Sequence, residues 1–113
     1  MQIQINSDRH IVNSPQLANR VQALLRDTLE RYADRITRVE VHLNDLNSVK
    51  GGSADKRCLM EARVAGIGAV SADHAAESLD LAIDTAMEKL ERAIEHKIGR
   101  IEMTTSGRRS GKG

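Results

Sequence analysis

Residues 24–43 read LLRDTLERYADRITRVEVHL, and a change of period inside this stretch decides the fold. Up to Tyr32 the apolar residues recur at helical spacing. Leu17, Val21, Leu24, Leu25, Leu29 and Tyr32 fall on one side of a helix. From Ile36 the period is two: Val39, Val41 and Leu43 alternate with Arg38, Glu40 and His42, which marks a half-buried strand. The helix begins at Ser14-Pro15, with serine as N-cap and proline at the first position, where its missing N–H costs nothing. It is expected to run to about Asp34.

Upstream, Gln2-Ile3-Gln4-Ile5-Asn6 alternates polar and apolar and reads as a short strand. Downstream, residues 44–55 carry Asn, Asp, Ser and Gly51-Gly52, and read as a hairpin loop longer than the tight types. Residues 56–64 resume the alternation with Cys58, Met60, Ala62 and Val64 on one face. Gly66 and Gly68 predict a turn, followed by a weaker strand over 69–73.

Ser78 can cap the last helix, with Glu77 and Asp80 at the positive end of its dipole. Leu79, Ile83, Ala86, Leu90, Ala93, Ile94 and the stem of Lys97 hold one side to about Ile101. The expected fold class is α+β in the order β-α-β-β-β-α, a four-stranded sheet with two helices on one face. Residues 1–102 form the domain. Residues 103–113 hold Arg108, Arg109 and Lys112 and no acid, and predict a basic, disordered tail, either an RNA-contacting arm or a solubilising end.

A chain of 113 residues is expected to be one domain, and its 40% hydrophobic content suffices for one core. Tyr32 is the only aromatic residue, so the core is aliphatic. The same lack argues against readers of single strands that stack bases on aromatic rings. A lone cysteine, Cys58, excludes an internal disulfide and fits a reducing compartment. With neither a leader pattern nor a long apolar run, cytoplasm is the default expectation and no membrane partner is expected. Net charge is +1, so any polyanion partner must be sought in how the charges are distributed.

No catalytic constellation emerges, and an enzyme, a cofactor, a metal and a small-molecule substrate are all unexpected. His10, His42, His74 and His96 sit in different segments, none paired at metal-ligand spacing. Cys58 falls on the apolar face of its strand, as a buried structural thiol does. Gly66-Ile67-Gly68 does not open a helix and makes a poor phosphate loop.

The last helix is the informative element. At about 100° per residue, Lys89, Arg92, His96 and Arg100 share one flank of the apolar stripe. Asp80, Asp84, Glu88, Glu91 and Glu95 share the other. A basic ridge spaced i, i+3, i+7, i+11 can follow a phosphate backbone. A solvated helix with pairs such as Glu88 with Arg92 accounts for the same charges, and both readings stay open here. Arg20 and Arg31 share an azimuth on the first helix, with Asp27 between them. Arg35 and Arg38 follow at the junction, then Lys56, Arg57 and Arg63 on the third strand. These join the ridge in one patch only if the fold turns them to the same side.

The run LERYADRITRV over residues 29–39 resembles the helix-to-strand passage of the ribosome hibernation promoting factor family, also called the ribosome-associated inhibitor or sigma-factor modulation family. Residues 78–84, SLDLAID, and 89–94, KLERAI, resemble its last helix. The resemblance covers roughly residues 1–100 and implies a fold similar to a double-stranded-RNA-binding domain. It also implies a short-form, translation-regulating, stress-response protein in the decoding channel of the small ribosomal subunit. There it would contact ribosomal RNA through basic side chains and block messenger and transfer RNA. Lys89 and Arg92 match the family's basic positions, and Arg100 falls where basic residues are usual.

This chain departs from the pattern at several places. His96 stands where lysine is common, which weakens the ridge at neutral pH and strengthens it when the ring protonates. Ile98, Leu25 and Thr28 replace residues that are often basic, and Asp80 takes a place often held by tyrosine. The RNA contacts so expected are Lys89, Arg92, His96, Arg100, Arg20, Arg31, Arg35, Lys56 and Arg57. Long-form members carry a ribosome-pairing domain after this one; with none after residue 113, this chain is not expected to pair ribosomes by that route alone, and a monomer off the ribosome is expected. The alternatives are a protein-interaction module using the acidic flank or outward sheet face, and a general structured-RNA binder.

Overall fold

The computed structural model describes residues 1–8, 11, 14–45 and 55–112, without the side chains of 102–112. Its elements are β1 (Gln2–Ser7), α1 (Pro15–Thr28), β2 (Ile36–Asp45), β3 (Lys56–Val64), β4 (Gly68–Ala76) and α2 (Leu79–Lys112). The order β-α-β-β-β-α and the α+β class are borne out. The strands lie side by side in chain order, β1 parallel to β2 and the rest antiparallel. The central part of the hairpin loop, residues 46–54, and His10 lie outside the described residues.

Register follows from the alternation. Ile3, Val39, Ala62 and Val70 form one cross-strand row, and Ile5, Val41, Met60 and Ala72 the next. A third row runs Ser7, Leu43, Cys58 and His74. All three point to the helices, and Val39, Val41, Leu43, Cys58, Met60 and Ala62 are fully buried. Burial pushes the Cys58 thiol up to about 12, so it stays a neutral, apolar-like packing group. A bulge at Thr37 shifts register between Ile36 and Arg38, which lets both Ile36 and Val39 face inward. The predicted turn is present: Gly66 and Gly68 hold φ of +80° and +102°, conformations open to glycine and costly for other residues.

α1 starts as the sequence predicts, with Ser14 Oγ accepting from the Leu17 N–H at 3.1 Å and Pro15 in the first turn. It ends earlier than predicted, at Thr28, and a 3-10 turn spans Glu30–Tyr32. In that tighter winding residues three apart eclipse, which keeps Leu29 and Tyr32 on the core side. Leu24, expected on the stripe, is instead 38% exposed; Val21 and Leu25 carry the contact. Leu25 is wholly buried, so a lysine there could not reach a ligand from this backbone.

α2 packs on β3 and β4 and runs antiparallel to β4. Its buried residues are Ala82, Ile83, Ala86, Met87, Leu90, Ile94 and Ile98. From Leu79 to Ile98 the helix rises about 30 Å, and the nine residues of β4 also span about 30 Å. Burial therefore ends at Ile98 because the sheet ends there. Ile98, at a position expected to be often basic in the family, is here a core residue, 6% exposed, and Lys97 is exposed, which corrects the stripe position expected for its stem. The helix continues to Lys112, past the stop expected near Ile101 and through the stretch predicted to be disordered. No proline interrupts it, and glycine costs a helix only about 1 kcal/mol without forbidding it. No helix among the described residues is long and apolar enough to cross a membrane.

Candidate nucleic-acid interface

Two contacts fix how α2 is turned. Arg20 of α1 pairs with Asp80, and Thr28 Oγ1 lies 3.3 Å from Met87 Sδ. Both partners advance in the same direction, so α1 and α2 run side by side and parallel. Asp80, at the start of the acidic flank, therefore lies against α1. On the other side Lys89 Nζ reaches back to β4, 3.1 Å from His74 Nδ1 and 3.4 Å from the Asp73 carbonyl oxygen. The basic flank thus overhangs β4, the edge strand of the sheet.

Lys89, Arg92, His96 and Arg100 are all exposed along that flank. Arg92 meets Glu88 at 3.6 Å, with the two side chains 76% and 65% exposed. Such a pair is heavily screened and easily exchanged for a stronger anion. His96 stands one turn beyond Arg92. Arg100 follows Ile98, the last buried residue of the helix among those described.

The fold does not gather the other five candidates onto this flank. Arg20 is held at the seam between the helices, where its hydrogen bond from the guanidinium lowers the Asp80 carboxyl below its usual range and raises Arg20. Arg31 lies over the Tyr32 ring, 5.1 Å from its centroid. Arg35 precedes β2, at the same end of the sheet as Arg100 but on the α1 side, and its carbonyl accepts from Ala65 N–H at 2.7 Å. Lys56 sits at the opposite end between Asp45 and Asp55, at 3.6 and 3.2 Å, and its hydrogen bond to Asp55 raises its pKa. Arg57 projects from the open sheet face and binds Asp73 at 2.6 and 3.1 Å.

His74, absent from the expected contacts, belongs with the ridge by position. The signal was available: continuing the alternation from Val70 and Ala72 puts residue 74 on the helix side. Among the described residues no cluster of His, Cys, Asp and Glu could hold a metal ion.

The fold and this flank define a small α+β domain that presents a one-sided basic helix edge beside an edge strand. The chain belongs to the family described as Sigma 54 modulation protein / S30EA ribosomal protein, which it matches over residues 3–102. That is the hibernation family whose resemblance the sequence carries. Among curated proteins none matches the sequence. Among solved structures, the N-terminal domain of Protein Y from Thermus thermophilus superposes with a TM-score of 0.69 at 23% identity, over 85% of this chain and 98% of that one. A ribosomal subunit interface protein from Coxiella burnetii gives 0.61 at 22% identity, over 87% and 99%. At these identities the likeness is one of fold.

Proposed function

We propose that the protein is a non-enzymatic, cytoplasmic ribosome-binding factor that occupies the decoding channel of the small subunit and silences translation by excluding messenger and transfer RNA. The carrying observation is the division of charge on α2: Asp80 on one flank pairs with Arg20 of α1, and Lys89, Arg92, His96 and Arg100 lie exposed along the other. Family membership supports a ribosomal partner. The Coxiella burnetii neighbour, a ribosomal subunit interface protein by name, points the same way.

In this reading the ridge supplies affinity by displacing counterions from ribosomal RNA, and the bulk of the domain supplies inhibition by occupying space. Of the remaining candidates, Arg31 and Arg35 lie best to extend the contact around the end of the sheet beside Arg100. Arg20, Lys56 and Arg57 would first have to exchange their carboxylate partners. The test is co-sedimentation with small subunits of the wild type and of a Lys89→Glu/Arg92→Glu double variant. Stoichiometric, salt-sensitive pelleting that the double variant loses while staying folded supports the proposal. Equal pelleting of both proteins removes the ridge as the contact.

A further inference from the structure

β1 is an edge strand that carries none of the usual guards. Among the described residues no strand pairs with its outer side. Such an edge offers a row of main-chain N–H and C=O groups to any extended chain, and proteins commonly blunt it with charges, proline, a bulge or a covering element. The opposite edge is treated in that way, since Lys89 of α2 reaches onto β4 at Asp73 and His74. The six residues of β1, Gln2-Ile3-Gln4-Ile5-Asn6-Ser7, include no charge, no proline and no glycine. Their pairing with β2 runs through without a register shift.

Two arginines flank this strand, one from each layer. Met1, Gln2, Ile3 and Gln4 line an open hollow of about 520 Å³ together with Arg26 and Arg38. Arg26 comes from the last turn of α1, on the helix side of the sheet, and is exposed. Among the described residues it has no ion-pair partner. Arg38 comes from β2 on the open face, where its Nη2 donates to Gln4 Oε1 at 3.1 Å and meets Glu40 at 2.8 Å. These contacts draw the guanidinium across β1 and leave the N–H groups of Nε and Nη1 over. Asp27 and Glu30 line a neighbouring hollow with Arg26 and do not line this one.

We infer that the outer edge of β1 is a docking site for an extended acidic peptide, which adds to the sheet as a fifth strand. Its main chain pairs with the open edge, as in other strand additions. Successive side chains of a strand point to opposite faces, so two consecutive acids turn one carboxylate to Arg26 and the other to Arg38. The segment recognised is thus an acid–acid step within an otherwise uncharged stretch. A second copy of this chain fits less well, because its own β1 brings no carboxylate to meet the arginines. RNA phosphates would meet the arginines but leave the main-chain edge unpaired. β1 lies at the other end of the sheet from β4 and the basic flank, and the inference does not rest on the ribosomal proposal.

The test uses the full chain, isotope-labelled for NMR, and the capped peptide Thr-Val-Glu-Glu-Val-Thr, with Thr-Val-Gln-Gln-Val-Thr as control. The glutamate peptide is expected to shift the amides of Gln2–Ser7 and to slow their hydrogen exchange, with β4 unaffected. One exposed ion pair contributes up to about fivefold in affinity, so the glutamine peptide should bind about tenfold more weakly. Arg26→Gln and Arg38→Gln should each weaken the glutamate peptide by about threefold to fivefold and leave the glutamine peptide unchanged. Circular dichroism checks that both variants stay folded. No binding at millimolar peptide, equal binding of the two peptides, or shifts confined to β4 and α2 overturns the inference. So does self-association that protects the β1 amides without peptide, or a short RNA that moves those amides when the peptides do not.

Discussion

Replacing Lys89 and Arg92 by glutamine should flatten the salt dependence of ribosomal RNA binding by a calculable amount. Both side chains are exposed on the flank that overhangs β4, and neither is part of the core. Each phosphate neutralised contributes about 0.9 to the slope of log K against log salt on duplex nucleic acid. Lys89, Arg92 and Arg100 together supply a slope of about 2.7, so raising salt fourfold weakens binding by about fortyfold through these contacts alone. Without Lys89 and Arg92 the ridge contribution falls to about 0.9, and the same change in salt costs about threefold to fourfold. Contacts elsewhere add to both slopes and cancel in the difference. The assay is equilibrium binding of labelled protein to small subunits across a potassium chloride series, with circular dichroism to check the fold. A slope that drops by less than about 0.5 would refute the reasoning, because the two residues would then not be neutralising phosphates.

Other consequences can be checked on the isolated protein. Ile98→Lys adds a charge at a position often basic in the family, yet Ile98 is only 6% exposed here; it should lower stability by about 2 kcal/mol or more in urea denaturation rather than tighten binding. An unchanged denaturation midpoint would show that the helix does not pack there as described. Asp80→Asn removes the partner of Arg20 at the helix seam, and because both side chains are about half exposed or more, its cost should stay below about 1 kcal/mol. Binding to Arg20 lowers the Asp80 pKa, so the pair's contribution is present at neutral pH and is lost as pH falls through that lowered value; wild type and variant should converge in acid. Cys58, its pKa pushed up to about 12 by burial, should resist thiol reagents near pH 8 until the protein unfolds; rapid labelling of the native protein would contradict the packing.

Much of this architecture is legible from local pattern. The alternation through Val39, Val41 and Leu43, its echo in Cys58, Met60 and Ala62, and the Ser14-Pro15 start all depend on neighbours in sequence. What escaped depends on neighbours in space. Where burial on α2 stops is set by the length of β4, so the wheel alone could not show that the buried stripe ends at Ile98 rather than near Ile101. The Arg20–Asp80 pair joins residues sixty apart, and no period connects them. Thr37 hides a bulge that a strict alternation passes over.

The candidate site divides in the same way. The basic flank is written in one helix and is visible as a spacing. Its orientation over β4, the separation of Arg57 onto the opposite sheet face, and the pairing of Lys89 with His74 exist only once the sheet is assembled. His74 is within reach of the sequence, but the alternation there is weak and predicts a fourth strand ending at Asp73, one residue too soon.

The most direct measurement is an order-of-addition competition on small ribosomal subunits, with messenger RNA and transfer RNA on one side and this protein on the other. Mutually exclusive binding, with each displacing the other at equilibrium, is the result expected of a factor that occupies the decoding channel. Simultaneous stoichiometric binding of all three would contradict that account and move the ridge to another surface of the ribosome.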